Sequence, residues 1–413
     1  MIGQTHTTEA AEAVLHHSPE NTLLKITLLV ASSLTVLAGA IISPALPAIE
    51  AHFAADVPDI AFWSRLVLTI PALFIVLCSP IVGYLVDRVG RKSVLIAATL
   101  LYGIVGGAGY FAVSLPMLLV SRALLGLAVA GVMTSTTTLI SDYYVGLARS
   151  RFIGLQTAFM GIGGTVFLSL GGLLAESNWR APFLIYLFAF IVAPLVILVL
   201  YEPEPISAAV ASAQASDPAM RLNRPLLQLI FFIYGMMLVM QAVFYLVPVQ
   251  FPFHLRALNG APASQSGMAV ALLSLSFSVT SAFSGWMSAR FQRMTLITIG
   301  FLLSGLGYIL IGQATNWVFI IIGLMLGGIG FGFVAPALSV WLANEAPPPL
   351  RGRILGGLTT ALFLGQFLSP ILSQPLIPTY GLNVTYALAG GLLMVIGGVF
   401  LAGRGRIYSE TAA

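Results

Sequence analysis

The sequence predicts an all-α membrane protein with twelve transmembrane helices, arranged as two six-helix bundles related by pseudo-symmetry. Of the 413 residues, 58% are hydrophobic and 8% are charged, a balance too apolar for a water-soluble protein. Apolar segments of about 20 residues, long enough to cross a bilayer, recur along the whole chain. The two halves also match each other in register, which predicts one bundle from each half.

The predicted spans follow one another with short polar connections. Their approximate windows are 25–48, 61–86, 93–113, 117–141, 153–175, 181–200, 225–250, 265–289, 294–313, 317–343, 354–375 and 383–403. Residues 201–224 alone are long and of linker composition, rich in Pro, Ala and Ser. We therefore predict a tail at 1–24, an N-terminal bundle at 25–200, a linker at 201–224, a C-terminal bundle at 225–403 and a tail at 404–413.

The basic residues predict how the chain is oriented in the membrane. With the linker in the cytoplasm, the residues on that side are Lys25, Arg88, Arg91, Lys92, Arg149, Arg151, Arg221, Arg224, Arg290, Arg293, Arg351, Arg353, Arg404 and Arg406. Only Arg65, Arg180 and Arg256 fall on the other side. Lys and Arg concentrate in cytoplasmic loops, so we expect an inner-membrane or plasma-membrane protein with both termini and the linker cytoplasmic.

An internal repeat supports the two bundles. At a constant offset of 202 residues, Gly83, Arg88 and Arg91 match Gly285, Arg290 and Arg293, while Arg149, Arg151 and Gly154 match Arg351, Arg353 and Gly356. Because arginine is scarce in this chain, four arginines in register are hard to attribute to chance. Six helices return the chain to its starting side, so the repeat is parallel, as in secondary transporters with a binding site between two bundles.

A charged turn lies between the second and third predicted spans. Its pattern, Gly83-x-x-x-Asp87-Arg88-x-Gly90-Arg91-Lys92, resembles the signature of the major facilitator superfamily at this position, and Gly285, Arg290 and Arg293 form a degenerate second copy. The segment LVSRALLGLAVAG, residues 119–131, is similar to the helix-4 motif of the twelve-helix drug/proton antiporter branch. In the fifth span, Phe167-Leu168 replaces the Gly-Pro pair of that branch's helix-5 motif.

The resemblance implies a transporter that works by alternating access and is not an enzyme. It implies proton-coupled efflux of a small amphiphilic or drug-like compound by a monomer in the lipid bilayer, without a cofactor. The missing Gly-Pro pair leaves open an importer or uniporter of a small organic anion or other nutrient. A membrane-embedded enzyme, or a sensor that keeps the transporter fold without flux, is a third alternative.

The charged turn is predicted to form a conformational latch, as the resemblance implies. Asp87 has the right sign to meet the positive N-terminal end of the eleventh helix near Gly356, and Arg88 or Arg91 can pair with Asp142. The latch would favour the outward-facing state and break on opening inward. Its predicted residues are Gly83, Asp87, Arg88, Gly90, Arg91, Asp142, Arg290 and Arg293. The alternative is that these charges only set the topology.

Arg122 is the most deeply placed formal charge, about six residues or 9 Å inside the fourth span. Charge at that depth usually faces a polar cavity, although a structural residue bonded to carbonyls is the alternative. Polar and aromatic stripes on other spans complete the predicted substrate cavity with Gln156, Tyr234, Gln241, Tyr245, Ser278 and Gln366. Interhelical hydrogen bonding within one bundle is the alternative for these residues. No acidic residue lies mid-membrane, which disfavours selection of cations.

Other chemistries find no support in the sequence. The His residues make no metal-ligand constellation, and no nucleophile, base and orienting group can be assembled by spacing. The glycine run GGIGFG, residues 327–332, has no preceding strand and lies inside a span, so it predicts close helix packing rather than a nucleotide loop. The basic residues lie at helix ends and form no patch for nucleic acid.

Overall fold

The computed structural model describes residues 21–203 and 223–410. We number its membrane-spanning segments α1 to α12: Thr22–Phe53, Ile60–Val89, Arg91–Phe111, Leu115–Tyr143, Gly146–Ser177, Ala181–Val199, Arg224–Asn259, Ala263–Ala282 with Ser284–Arg290, Arg293–Gln313, Trp317–Glu345, Arg351–Ser373 and Ile377–Ala402. The described chain contains no β-strand. The predicted all-α membrane fold with twelve spans is confirmed, with α8 counted as one bent span.

Polar side chains cap the first turns of several helices, and local breaks interrupt or bend others. Asn21 and Ser114 accept hydrogen bonds from backbone N–H groups in the first turns of α1 and α4, which satisfies donors that a helix start leaves free. A 3₁₀ turn at Ser43–Ala45 interrupts α1. The two parts of α8 meet at an angle of 50°, and Gly381 breaks α12 with a φ of 78°, a conformation that favours glycine.

The predicted windows agree with most of the observed spans, with a few differences. The seventh span was expected to end at residue 250, but α7 continues to Asn259, because Pro248 and Pro252 are accommodated inside the helix. The last helix runs on to Glu410, into the segment predicted as a tail. Most of the N-terminal tail and of the linker lies outside the described residues.

Each half of the chain packs around its own apolar core, one built mainly from α1–α6 and the other mainly from α7–α12. Glycines bring helices of the second half together, as expected for the run at 327–332. A Cβ on Gly328 would lie 2.5 Å from the carbonyl oxygen of Leu273 on α8, and one on Gly330 would lie 2.4 Å from that of Gly300 on α9. The bundles meet chiefly through α5 with α8 and α2 with α11.

The ends of the helices define two faces. We call the face where α1 begins, α6 ends and α7 begins the linker face, and the opposite one the distal face. The α2–α3 and α4–α5 connections lie at the linker face, and the α1–α2 and α7–α8 connections at the distal face.

Candidate functional site

A cavity of about 490 Å³ lies between the two bundles. We call it the central cavity. Residues of α1, α2, α4 and α5 form one side, and residues of α7, α8 and α11 form the other. A site built from both bundles changes shape whenever the bundles move relative to each other, as an alternating-access binding site must.

The lining of the central cavity is mixed but uncharged. The polar lining residues are Ser32, Thr35, Thr136, Thr137, Gln156, Thr157, Gln241, Tyr245, Ser274, Ser278, Thr359 and Gln366, and the large apolar ones include Met133, Met160, Phe244, Phe277 and Phe363. None of the described lining residues carries a formal charge. The cavity therefore suits a ligand with both apolar and hydrogen-bonding surface.

Five of the seven predicted cavity residues line it: Gln156, Gln241, Tyr245, Ser278 and Gln366. Gln156 donates from Nε2 to the Ser32 hydroxyl at 2.8 Å, within the N-terminal bundle. The Tyr245 hydroxyl donates to the carbonyl oxygen of Gly39 at 3.0 Å, which connects α7 to α1 across the bundle interface.

The other two glutamines have free amides. Gln241 is 7% exposed, and its Oε1 is buried without a hydrogen-bond partner. Gln366 makes no hydrogen bond with any residue in the described ranges. A Cβ on Gly365, the residue before Gln366, would collide with the carbonyl oxygen of Leu238 and would lie 3.0 Å from Gln241 Cβ. Glycine at position 365 thus allows α11 to touch α7 beside Gln241.

Tyr234 does not line the central cavity. Its hydroxyl donates to the carbonyl oxygen of Ile354 at 2.5 Å, and a Cβ on Gly357 would collide with its ring. Tyr234 therefore packs α7 against α11 nearer the linker face. Tyr234 was expected in the cavity with Gln241 and Tyr245 of the same stripe, but the helix turns this position toward α11.

Arg122 also lies outside the central cavity, contrary to the cavity assignment. It is completely buried in the N-terminal bundle, and its Nη2 donates to the carbonyl oxygens of Val105 at 3.3 Å and Gly106 at 2.9 Å. Its guanidinium lies over the rings of Phe183 and Tyr186, 4.8 and 4.9 Å from their centroids. These contacts match the structural alternative, in which carbonyls and ring faces balance the charge.

The sequence analysis expected α4 to contribute Arg122 to the cavity and missed the residues of α4 that line it, Met133, Thr136 and Thr137. The only signal was a run of small polar residues, STTT at 135–138. Buried spans are apolar on every side, so periodicity does not reveal which side faces a cavity.

The bundles are tied together at the distal face around Arg65. Its Nε donates to Gln250 Oε1 of α7 at 2.8 Å, and its guanidinium lies 3.9 Å from the ring centroid of Phe253. The charge is balanced by an ion pair with Glu50 of α1, at 2.5 Å between Nη1 and Oε2. Arg65 is 5% exposed, so the closed distal face buries a neutralised arginine. We call Glu50, Arg65, Gln250 and Phe253 the distal cluster.

Further hydrogen bonds lie in the distal half of the molecule. Within the C-terminal bundle, Gln250 donates from Nε2 to the Ser373 hydroxyl of α11 at 3.1 Å, and two others join the bundles. The Ser43 hydroxyl of α1 donates to the carbonyl oxygen of Pro248 at 2.5 Å, and the Ser264 hydroxyl of α8 donates to Glu176 of α5 at 3.1 Å.

The linker half of the interface is open. No heavy atom lies within 4 Å of a Cβ built on Gly83 of α2, Gly154 of α5, Gly285 of α8 or Gly356 of α11. All cross-bundle hydrogen bonds of the described residues lie from mid-membrane to the distal face. From these two observations we infer that the central cavity is reached from the linker face.

The charged turn is fastened within its own bundle. Arg91 forms an ion pair with Asp142 at the end of α4, at 3.1 Å. The Glu202 carboxylate accepts from the backbone N–H groups of Arg91 at 2.6 Å and Lys92 at 2.8 Å. Gly90 has a φ of 104°, and its Cβ position would lie 2.9 Å from that carboxylate, so glycine is needed here. The sequence analysis missed Glu202, although a carboxylate suits a helix N-terminus.

The other predicted latch residues are placed as follows. Asp87 is exposed and forms no ion pair with a described residue, and Arg88 lies over its neighbour Tyr84, 5.2 Å from the ring centroid. In the second half, Arg293 pairs with Glu345 of α10 at 3.3 Å, as Arg91 pairs with Asp142 in the first. Arg290 lies over Trp286 at 4.5 Å.

Comparison with known proteins gives consistent results. The family model described as Major Facilitator Superfamily matches residues 28–263 and 251–411. The chain is 27% identical to the class C tetracycline resistance protein of Escherichia coli, over 76% of this chain and 80% of that one. It is 27% identical to the bacillibactin exporter of Bacillus subtilis (strain 168), over 81% and 85%. The crystal structure of a D-xylose-proton symporter superposes with a TM-score of 0.75 at 16% identity, covering 92% of this chain and 96% of that chain.

Proposed function

Because the chain belongs to the major facilitator superfamily and is a membrane transporter rather than an enzyme, we propose that it exports a small amphiphilic compound by alternating access. The observation that carries this proposal is the central cavity. It is uncharged and lined by aromatic, Met, Thr and Gln side chains of both bundles. Such a site holds amphiphiles of different shapes, because Met and aromatic side chains adapt to them.

Two observations favour export over import. The tetracycline resistance protein and the bacillibactin exporter are named for resistance and export, and each matches most of this chain. The alternative of an importer for an organic anion, left open by the missing Gly-Pro pair, would be supported by a basic residue in the cavity. Since Arg122 lies elsewhere, that alternative has no described basic residue with which to bind an anion.

The orientation is part of the proposal. The arginine bias places the linker face in the cytoplasm of an inner-membrane or plasma-membrane protein. The central cavity would then be open to the cytoplasm, where an exporter takes up its substrate. In this orientation the distal cluster is the closed extracellular side.

Proton coupling is the finer part of the proposal. A coupled antiporter needs a group that changes its protonation during the cycle, and the described lining of the central cavity offers no carboxylate. Two described carboxylates contact residues that form hydrogen bonds between the bundles: Glu50 pairs with Arg65, and Glu176 accepts from Ser264. We propose these two carboxylates, which lie near the distal face, as the candidates for proton coupling.

Flux measurements in membrane vesicles test the function. We expect everted vesicles that contain the protein to accumulate N-phenyl-1-naphthylamine, an uncharged fluorescent amphiphile, when a proton gradient is imposed. Nigericin, which collapses the gradient, should stop this accumulation. Vesicles without the protein serve as the control. Accumulation only in whole cells would favour an importer, and binding without flux in either direction would favour a sensor.

A further inference from the structure

The glutamine amides of the central cavity differ in whether their N–H group has a protein partner. In the N-terminal bundle, Gln156 donates to Ser32, and the Thr136 hydroxyl donates to the carbonyl oxygen of Val132 at 2.7 Å. In the C-terminal bundle, the side-chain amides of Gln241 and Gln366 have no hydrogen-bond partner among the residues that the structure describes. The two glutamine side chains of the cavity that make no hydrogen bond with a described residue therefore lie on α7 and α11.

The free oxygen of Gln241 has an energetic consequence. A buried carbonyl oxygen without a donor costs free energy, and a ligand donor that meets this oxygen when the Gln241 amide rotates toward the cavity recovers it. Gln366 lines the same cavity, so one ligand can contact both side chains. Phe244 and Phe277, whose ring centroids are 5.5 Å apart, supply an apolar wall on the same side of the cavity.

Charge is disfavoured in the same place. The described ion pairs of the chain lie at the two faces, and Arg122 is enclosed within the N-terminal bundle. An ionic ligand in the central cavity would lose hydration without gaining a counter-charge, which is costly in an apolar site. An uncharged ligand avoids that cost.

We propose that the central cavity binds uncharged aromatic amphiphiles that carry a hydrogen-bond donor, and that Gln241 together with Gln366 recognises the donor group. This inference rests on the proposed function in placing the substrate in this cavity, but binding tests it without any flux. If the protein binds these ligands as proposed but transports nothing, the proposed export is wrong and the ligand class stands. If it transports amphiphiles but binds a different class of ligand, the ligand class is wrong and the proposed export stands.

The test uses probes that share one aromatic skeleton. N-phenyl-1-naphthylamine is uncharged and has one N–H donor; its N-methyl derivative lacks the donor, and 8-anilinonaphthalene-1-sulfonate adds a negative charge. Tetraphenylphosphonium is a permanent cation. Each is titrated against the purified protein in lipid nanodiscs, with empty nanodiscs subtracted. We expect N-phenyl-1-naphthylamine to bind at least about tenfold more tightly than the other three.

Substitutions at the two glutamines sharpen the test. Gln241→Met and Gln366→Met keep the length of the side chain and remove the amide. Each should weaken binding of N-phenyl-1-naphthylamine by about five- to tenfold and leave binding of the N-methyl derivative unchanged. Gln228→Met is the matched control, because Gln228 is exposed near the start of α7 and does not line the central cavity, and it should change binding less than twofold. Gln241→Glu should admit tetraphenylphosphonium by supplying a negative charge.

Three results would overturn the proposal. The first is equal binding of N-phenyl-1-naphthylamine and its N-methyl derivative, or no binding of either. The second is tighter binding of the sulfonate or of the phosphonium by the unmodified protein. The third is an equal loss of binding in Gln228→Met and Gln241→Met. Thermal unfolding of each variant distinguishes a change at the site from a change in folding.

Discussion

Arg122 carries a charge buried among carbonyls and aromatic rings, so it should matter for stability rather than for the substrate. Lysine keeps the charge but loses the planar donor fork, and glutamine loses the charge. We expect Arg122→Lys and Arg122→Gln each to lower the free energy of unfolding by about 2–4 kcal/mol. Neither side chain reproduces both the carbonyl hydrogen bonds and the ring contacts. Thermal or denaturant unfolding of the purified variants measures the loss.

Arg180→Gln is the control for this prediction, because Arg180 lies near the distal face over the ring of Trp179 and is only partly buried. It should cost less than either Arg122 variant. Normal stability of Arg122→Gln with a selective loss of transport would contradict the structural role and restore a substrate contact.

At the level of single residues, the sequence identified which side chains are polar and how deep they lie in the membrane, but not which way each one faces. Gln156, Gln241 and Gln366 were predicted from polar stripes, and they line the cavity. Tyr234 belongs to the same stripe as Gln241 but bonds to Ile354. Which side of a span faces a cavity depends on how the helix is rotated by its neighbours, and single-helix periodicity does not contain that information.

At the level of helices, span positions were predictable because bilayer thickness sets the length of an apolar segment. The interruptions were not predictable from length. The 3₁₀ turn in α1 at Ser43–Ala45 is fastened by the Ser43 hydroxyl to α7, so a contact between bundles helps define it. α7 runs past Pro248 and Pro252 because the carbonyl oxygens they leave free, those of Phe244 and Pro248, accept hydrogen bonds from the hydroxyls of Tyr308 and Ser43.

The distal cluster gives a prediction about how α2, α7 and α11 hold the distal face closed. Removing the Arg65 side chain breaks its hydrogen bond to Gln250 and its stacking on Phe253. Gln250→Ala removes the same hydrogen bond from the other bundle. We expect both variants to increase the population that is open at the distal face. The measurement is the distance between spin labels at Asp56 and Asn259, on a background in which Cys78 is replaced by serine.

Arg180→Ala is the matched control, since it removes an arginine of the same face that contacts Ala112 and Trp179 of its own bundle. It should leave the label distance unchanged. If Arg65→Ala and Arg180→Ala gave the same distances as the parent protein, the distal cluster would not hold the bundles together.

At the scale of the whole molecule, the repeat predicted from the sequence is visible in the ion pairs. Arg91 with Asp142 and Arg293 with Glu345 occupy corresponding places in the two bundles. Both pairs lie within a bundle, so they do not by themselves close the linker face. Asp87 remains the proposed latch residue, because it is exposed here and the space around Gly356 is empty, as expected of a latch that has opened.

The latch proposal predicts an effect on the state not seen in this structure. Asp87→Asn removes the charge that would meet the positive end of α11 when the linker face closes. We expect it to reduce the closed population and slow transport without lowering the folded yield. The distance between spin labels at Val145 and Phe291 reports that population. Lys92→Gln, a charge change in the same turn, is the control, and equal distance distributions in both variants would leave the charges with a role in topology only.

The central claim is that the two bundles open the central cavity to one face at a time. Its most direct measurement records both label pairs, Val145 with Phe291 at the linker face and Asp56 with Asn259 at the distal face, while N-phenyl-1-naphthylamine and pH are varied. We predict reciprocal changes, with the linker-face distance shortening whenever the distal-face distance lengthens. Distances that lengthen together, or that never change, would contradict alternating access by this chain.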